Sequence, residues 1–522
     1  MKMLRRRFSI ASCALFMAAA MLVTGAARAQ SAARTLEGRL SVLWADPRPG
    51  LPGGAIRFNL TMADGSNVPL SVASVDQLAA IRAFGKRVRI EGHDVGRAAP
   101  QKAGAAPIAV DKISVLDADA APRAAAAVPT TKRVLFILLK YKGDTQTPHT
   151  PTFYSALTNP LTPNTTLKIP ATINGFFTAT SWNNLKWRAD IAGVGGLNPT
   201  QWLTLPKTKS GYANCGWSSA CADVFQLAND AMALARAQGV NVALYDNINF
   251  VVNNDLDCCA WGGGFVYQSK LYGVTWEPPW GQDASIYVHE MGHSLGLPHS
   301  GWRYHAYDSP WDEMSRGSRA QQVSCGTYRS ANSGGALDTL YCSEPGGGYI
   351  APYKDKLAWI PAANKVVVNS ISTRTVTLEA DSTPLGANPK MIKICLVNRA
   401  CDGSTAQYLT VEARVKTVAY DKGLPGEGVI VHDFKANRTP VGAGNACFFN
   451  TQSGWAMPID ATPGDYRGAP YCDSGGRPYP NYALNNAQYT VGKTYLSSTL
   501  GIKIEVLSRV GSTFRVRVTR SK

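Results

Sequence analysis

After its first two dozen residues the chain contains no apolar stretch approaching the roughly 20 residues that a membrane-spanning helix needs, so nothing downstream reads as a span. Lys and Arg outnumber Asp and Glu by 53 to 36. Yet no block of about five basic residues occurs, and no knuckle-like or RNP-like pattern, so nucleic acid is a poor partner. Cysteine is absent between Ala29 and Cys215, and histidine is scarce, at seven in 522 residues. No repeat of solenoid type is present. What remains is an ordinary globular composition, 45% hydrophobic and 9% aromatic, too long for one core and expected to split into two or three domains.

Residues 1–29 read as an export signal. Lys2, Arg5, Arg6 and Arg7 form a basic head, Phe8 to Thr24 a short alanine-rich apolar run, and Ala27-Arg28-Ala29 a small-residue cleavage pattern. A retained anchor is the alternative, but the run is short for one. Cleavage would lower the formal charge from +17 to +12, a balance that steers acidic surfaces or substrates toward the molecule. The product is expected to be secreted, extracellular or periplasmic, without a membrane span. Ten cysteines remain after the signal, an even number that reads as disulfides in an exported chain. Spacing pairs Cys325 with Cys342, Cys395 with Cys401 and Cys447 with Cys472. Cys258 and Cys259 are expected to reach Cys215 and Cys221, because a bond between sequence neighbours is strained.

Alternating apolar residues (Ile56, Phe58, Leu60; Val88, Ile90; Ile108, Val110, Ile113, Val115) give 30–116 the pattern of a small β unit, barrel-like, with the oligonucleotide/oligosaccharide-binding type as the nearest model. Residues 117–131 are Ala- and Pro-rich and read as a linker. VLFILL, Val134 to Leu139, is a strand buried on both faces, Val224 to Ala235 has helical spacing, and Ile248 to Val252 is a further strand, so 132–362 reads as an α/β layer. The glycines of Gly262-Gly263-Gly264 let another backbone come close. From 363 to 522 the pattern is β throughout, read as a C-terminal β-sandwich.

One segment concentrates the chemistry: HEMGHSLGLPH, His289 to His299. Asp283 or Ser285 can cap a helix on which His289 and His293, four apart, project from one face. Gly296 can leave that helix in the left-handed conformation, and Pro298 stops its continuation, so His299 can return to the same point. Three imidazoles converging in this way suit one Zn²⁺ and leave one tetrahedral corner for water, the arrangement of a catalytic site. Glu290 is placed to take that water's proton and later deliver it to a leaving amine. A short HExxH arises by chance in unrelated proteins. Here three of the seven histidines, a Glu and a Gly meet every offset.

HExxHxxGxxH followed by a methionine resembles the metzincin zinc peptidases, the nearest likeness being to the gametolysin-like peptidases, with some to the immune inhibitor A peptidases. The likeness rests on His299-Ser300, on YDSPWDEMS (Tyr307 to Ser315), on SWNNLKW (Ser181 to Trp187), and on YLTVEARV and GLPGEGVIV in the tail. The resemblance covers roughly Arg133 to the C-terminus, with only the zinc motif highly specific, and implies a secreted zinc endopeptidase. With the strand pattern of 30–116, the expected architecture is α+β multidomain: a small N-terminal β-barrel-like domain, an α/β metzincin catalytic domain and a C-terminal β-sandwich. His289, His293 and His299 would hold the metal, Glu290 would be the base, and Gly296 and Met314 would support the site. The substrate would be a protein or glycoprotein, and the molecule a monomer. Rival readings are a non-catalytic zinc-containing adhesin or glycan-binding protein, and a zinc amidase acting on cell-wall peptides.

Two departures from the family stand out. The position two residues after Met314, where some members carry an oxyanion-assisting Tyr, is Arg316. Tyr304, His305, Tyr307 and Arg316 are the substitutes at hand, each also readable as a plain loop residue. A thiol-based latency is excluded by the missing cysteine, so an inhibitory role for 30–131 would need another route. Metzincin clefts are bordered by an edge strand that pairs with substrate, and Phe265, Val266 and Tyr267 are the candidates for it. Trp280 is a candidate subsite wall, though such tryptophans also serve as core plugs. Asn253 to Asp257 is acidic enough for Ca²⁺ but lacks a recognised ligand spacing.

Overall fold

The computed structural model describes residues 33–49, 51, 54–73, 76–95, 107–117, 129–300, 307, 309–315, 317–416, 420–438, 455–462 and 483–522. The export signal, most of the 117–131 linker, Cys447, Cys472, Tyr304, His305 and Arg316 lie outside the described residues.

Five short strands close a barrel near the N-terminus. They are β1 (Ala33–Pro47), β2 (Ala55–Thr61), β3 (Asn67–Ser71), β4 (Arg87–Asp94) and β5 (Ile108–Val115), with helix α1 (Gln77–Arg82) between β3 and β4. They pair in the order β2-β3-β5-β4-β1, and β1 returns to β2 to close the ring. Along β4 the apolar Val88 and Ile90 point inward and Arg87 and Arg89 outward, the period-two pattern of a half-buried strand. β1 is unusual. Ala33–Arg39 pairs with β4, Arg39–Ala45 with β2, and Leu43–Pro47 leaves the barrel to pair with a strand of the central sheet. Leu40 to Ala45 are all buried because that stretch lies between layers, which is why its apolar residues run on without alternation. The barrel expected from the sequence is therefore present, but through β1 it is continuous with the central sheet.

That central sheet contains β6 (Thr130–Lys140), β7 (Leu185–Gly193), β8 (Gly196–Leu197), β9 (Leu203–Thr204), β10 (Asn247–Val252), β11 (Cys259–Tyr267) and β12 (Lys270–Glu277). Its order is β1-β11-β12-β10-β6-β7-β8, with β9 on β6. β6, β7, β10 and β12 run parallel, and β11 is the antiparallel strand next to β12. Alternate residues of the VLFILL run serve opposite faces. Leu135, Ile137 and Leu139 pack with α5 (Val224–Ala237), while Val134, Phe136 and Leu138 pack with α6 (Ala284–Ser294). Helices α2 (Pro151–Thr158) and α3 (Ile173–Thr180) lie on the α6 face, and the short α4 (Lys209–Tyr212) lies against α5 on the other.

Beyond α6 come the hairpin β13 (Arg319–Ser330) and β14 (Ala336–Pro345), then α7 (Ala351–Lys356). The C-terminal part forms two sheets. One orders β15 (Lys365–Val368), β17 (Met391–Cys395), β18 (Gln407–Arg414), β19 (Gly428–Lys435) and β20 (Ala456–Pro458). The other orders β16 (Ser372–Glu379), β23 (Thr513–Arg520), β22 (Ile502–Val510) and β21 (Thr494–Ser497). Residues of both share one apolar cluster, as two stacked sheets should: Ile392, Ile394 and Val411 from the first, Leu378, Ile504 and Val516 from the second.

Cys325–Cys342 and Cys395–Cys401 form as the spacing suggests. The other expectation is overturned. Cys215 bonds to Cys221, and the neighbours Cys258 and Cys259 bond to each other. The buried Asp257 carboxylate stands between the two pairs, within 4.8 Å of the sulfurs of each. It accepts from the amides of Ala222 and Cys259 and from the Trp261 indole.

Candidate metal centre

Helix α6 begins where expected. The Asp283 carboxylate accepts from the amides of Ser285 and Ile286 at 2.8 and 3.1 Å, and capping of this kind is worth about 1 kcal/mol. Nearly every residue of the helix is buried, since it lies between the β11–β12 face and the α3 and β14 side. His289 and His293 leave it on one face. Gly296 then takes φ +83°, its amide bonding to the His293 carbonyl at 2.8 Å, and the chain turns so that His299 comes back to the two rings. The imidazole centroids stand 5.0 Å (His289–His293), 4.7 Å (His293–His299) and 5.3 Å (His289–His299) apart.

The tautomers of the two helical histidines follow from their outer partners. His289 Nδ1 donates to the Glu313 carbonyl at 2.6 Å, and His293 Nδ1 to the Leu297 carbonyl at 2.7 Å. Each neutral ring therefore turns an Nε2 lone pair inward. His293 Nε2 lies 3.2 Å from His299 Nε2, and the inward Nε2 of His289 has no hydrogen-bond partner. Ligand atoms around a tetrahedral cation at about 2.0–2.1 Å would stand about 3.3 Å apart. Lone pairs this close repel unless a proton or a cation lies between them. The donor set thus fits a divalent ion.

The fourth corner is where the structure departs from the sequence reading, which left it to water. Asp46, near the end of β1, places its carboxylate there. Its Oδ1 is 2.9 Å from His299 Nε2, and its Oδ2 is 3.2 Å from His293 Nε2 and 3.6 Å from His289 Nε2. The four side chains form a buried group able to hold a metal ion. Tyr307 donates its hydroxyl to the same carboxylate, and its ring stands 4.9 Å from that of His299. Trp44, two residues before Asp46, stacks on His293 at 4.5 Å with the planes 4° apart.

Glu290 is buried beside this cluster with one carboxylate oxygen unpartnered. Burial, then the charges of Asp46 and of the equally buried Glu277, push its carboxyl well above the usual range. Burial would push Asp46 upward too, but the His299, His289 and His293 rings outweigh it and hold this carboxyl well below the ordinary value. Burial drives His293 down to about 3, whereas at His289 the Asp46 carboxylate overcomes burial and lifts the ring.

Met314 is fully buried against the helix. A Cβ added at Gly292 would meet its sulfur at 2.2 Å, so the glycine between the two helical histidines is what admits the methionine. The turn carrying Met314 is braced from the C-terminal sheets. The Arg414 guanidinium, paired with Asp421, donates to the Trp311 carbonyl at 2.9 Å, and the Trp311 indole donates to the Leu484 carbonyl at 2.7 Å.

The residues expected at a substrate edge lie away from the histidine cluster. Phe265, Val266 and Tyr267 belong to β11, but they pair with Tyr272, Leu271 and Lys270 of β12, and Phe265 is a core residue. Val266 and Tyr267 line a cleft of about 620 Å³ that none of the three histidines borders. The margin of β11 next to the metal cluster is Cys259–Gly263, and β1 already occupies it. Trp280 is buried in the turn before α6, with 8% of its surface exposed, as a core plug would be. The Asn253–Asp257 carboxylates are used by protein donors: Asp255 accepts from Tyr328, Ser330 and the Asn332 amide.

Sequence reasoning missed Asp46 and the part played by Trp44. The one local signal was an acidic residue closing the apolar run Val42-Leu43-Trp44-Ala45. Among the described residues no helix is long and apolar enough to cross a membrane, and the four disulfides found there are compatible with an extracellular protein. No protein-family model matches the chain, and no curated protein matches it.

Proposed function

We propose that the chain is a secreted, zinc-dependent endopeptidase of metzincin type, acting on proteins or glycoproteins. The observation that carries this reading is the convergence of three inward Nε2 atoms, those of His289 and His293 held by outer partners, beside a buried Glu290. Zn²⁺, when bound by His289, His293 and His299, would supply Lewis acidity for an attacking water and for the scissile carbonyl. Glu290 would accept the proton of that water and return it to the leaving amine, so that its carboxylate ends each cycle unchanged. Tyr307 would donate to the carbonyl oxygen as negative charge develops there, the place now taken by an Asp46 oxygen. Gly296 and Met314 would fix the approach of the third imidazole and the floor under the other two.

Asp46 favours a second reading. Four protein donors around one ion also describe a purely structural site. The two part on activity. Casein, collagen-like peptides, glycoproteins and peptidoglycan would be incubated with the full chain and with its Asp46→Ala form, under chelation and after zinc add-back. The peptidase reading expects metal-dependent cleavage of at least one protein substrate. Glu290→Ala should keep the metal, measured by atomic absorption, and lose about 10²–10⁴-fold in turnover. Zinc uptake without Glu290-dependent hydrolysis in either form would leave only the structural ion.

A further inference from the structure

We infer that the N-terminal barrel is a built-in inhibitor of the metal centre, with the Asp46 carboxylate as the group that closes it; this rests on the peptidase reading above. Three independent features converge on it. First, the carboxylate reaches all three histidine Nε2 atoms within 2.9–3.6 Å, although β1 and α6 are remote in sequence. Second, the backbone leading to it occupies the sheet margin beside the centre. Leu43 to Pro47 pair antiparallel with Gly263 to Cys259, the way an extended peptide adds to a sheet edge. Third, the approach is provided for on the receiving side. Gly263 takes φ +139°, and a Cβ there would strike the Val42 carbonyl oxygen, while a Cβ at Gly262 would strike Glu290.

The docking is reinforced beyond the strand itself. Trp44 covers His293, the Arg48 guanidinium pairs with Asp338 of β14, and Arg57 of β2 donates to the Ala220 and Ala222 carbonyls at 2.6 Å each. Phe84, which comes soon after α1, packs where a Gly264 side chain would stand. A strand held along the margin and a carboxylate at the cluster exclude substrate from both places it needs. A carboxylate also mimics the two oxygens of a hydrated peptide carbonyl, which is why Tyr307 and the imidazoles accommodate it together. This is an oxygen-based closure, consistent with the absence of any cysteine between Ala29 and Cys215.

The test uses the full chain loaded with Co²⁺ or Zn²⁺. In the wild-type cobalt form, azide should leave the visible absorption bands unchanged because no ligand position is free. Asp46→Ala should give a saturable azide-dependent shift. With zinc, Asp46→Ala should hydrolyse a short fluorogenic peptide about tenfold faster than wild type or more, since the competent fraction rises when the internal ligand is lost. That gain should vanish in Asp46→Ala/Glu290→Ala. Near-ultraviolet circular dichroism checks folding, and Asp46→Asn, which keeps the volume, serves if the alanine form does not fold. An equal azide response, or peptide hydrolysis that is measurable and equal in wild type and Asp46 variants, overturns the inhibitor. An azide response gained only by the variant, with no hydrolysis from any form, overturns the peptidase reading while leaving Asp46 as the closing ligand.

Discussion

Tyr307 shows what a single side chain adds at this centre. Its position relative to Met314 is not the one expected for an oxyanion-assisting Tyr under the proposed peptidase reading, and the sequence offered four candidates without ranking them. The fold singles it out by bringing its ring beside His299 and its hydroxyl onto the Asp46 carboxylate. In the Asp46→Ala background, Tyr307→Phe should lower kcat by about 10²-fold with KM nearly unchanged, the expected loss when one donor to a developing oxyanion is removed. Steady-state kinetics with parallel zinc analysis decides it, and a change confined to KM would make Tyr307 a binding residue. The histidines, Glu290 and Gly296 were legible in the sequence because helical periodicity and a left-handed glycine are local properties. Asp46 and Trp44 were not, since nothing local to Ser41–Pro47 records which part of the molecule that strand will meet. Gly292 passed unnoticed for the same reason: its need arises only when Met314 arrives from another turn.

At the level of elements, the strands and the capped helix were readable, and their pairings were not. VLFILL was recognisable as doubly buried because six consecutive apolar residues leave no face for water, and β6 buries all six. The three glycines at 262–264 announced a close approach of another backbone, but β1 as the visitor is a long-range fact. Gly263→Ala makes the point testable. It combines a backbone conformation that L residues rarely adopt with a collision against the Val42 carbonyl, so it should cost about 1–3 kcal/mol or more and loosen β1 from β11. Thermal unfolding should show the lower midpoint, and hydrogen exchange should show lost protection at Leu43–Pro47 while β10 stays protected. Unchanged protection in β1 would mean that the register adapts without loss. The disulfides divide in the same way: spacing gave Cys325–Cys342 and Cys395–Cys401 correctly, whereas the expected cross-pairing of Cys258 and Cys259 with Cys215 and Cys221 is replaced by Cys215–Cys221 and Cys258–Cys259.

Taken whole, the molecule ties two distant stretches of chain to one point: the end of β1, and helix α6 with its return at His299. The C-terminal sheets reach the same point through Arg414 and Trp311. An ion bound there by the native state alone adds stability that grows with the ratio of free metal to dissociation constant, about 4 kcal/mol at a thousandfold excess. Removing metal with a chelator should therefore lower the melting temperature of the full chain. The effect should be smaller in Asp46→Ala, where the barrel no longer contributes a donor. Differential scanning calorimetry with zinc add-back checks both statements, and a chelator-insensitive transition would show that the cluster carries no ion in the folded chain.

Because β1 supplies the missing neighbour of β11, any event that lifts the barrel away also uncovers amides and carbonyls along Cys259–Gly263. A bare margin of this kind recruits whatever extended chain is nearest, whether a polypeptide to be cut or another copy of the same molecule. The barrel would then act as a chaperone for its own sheet, keeping a sticky seam covered until a client takes its place.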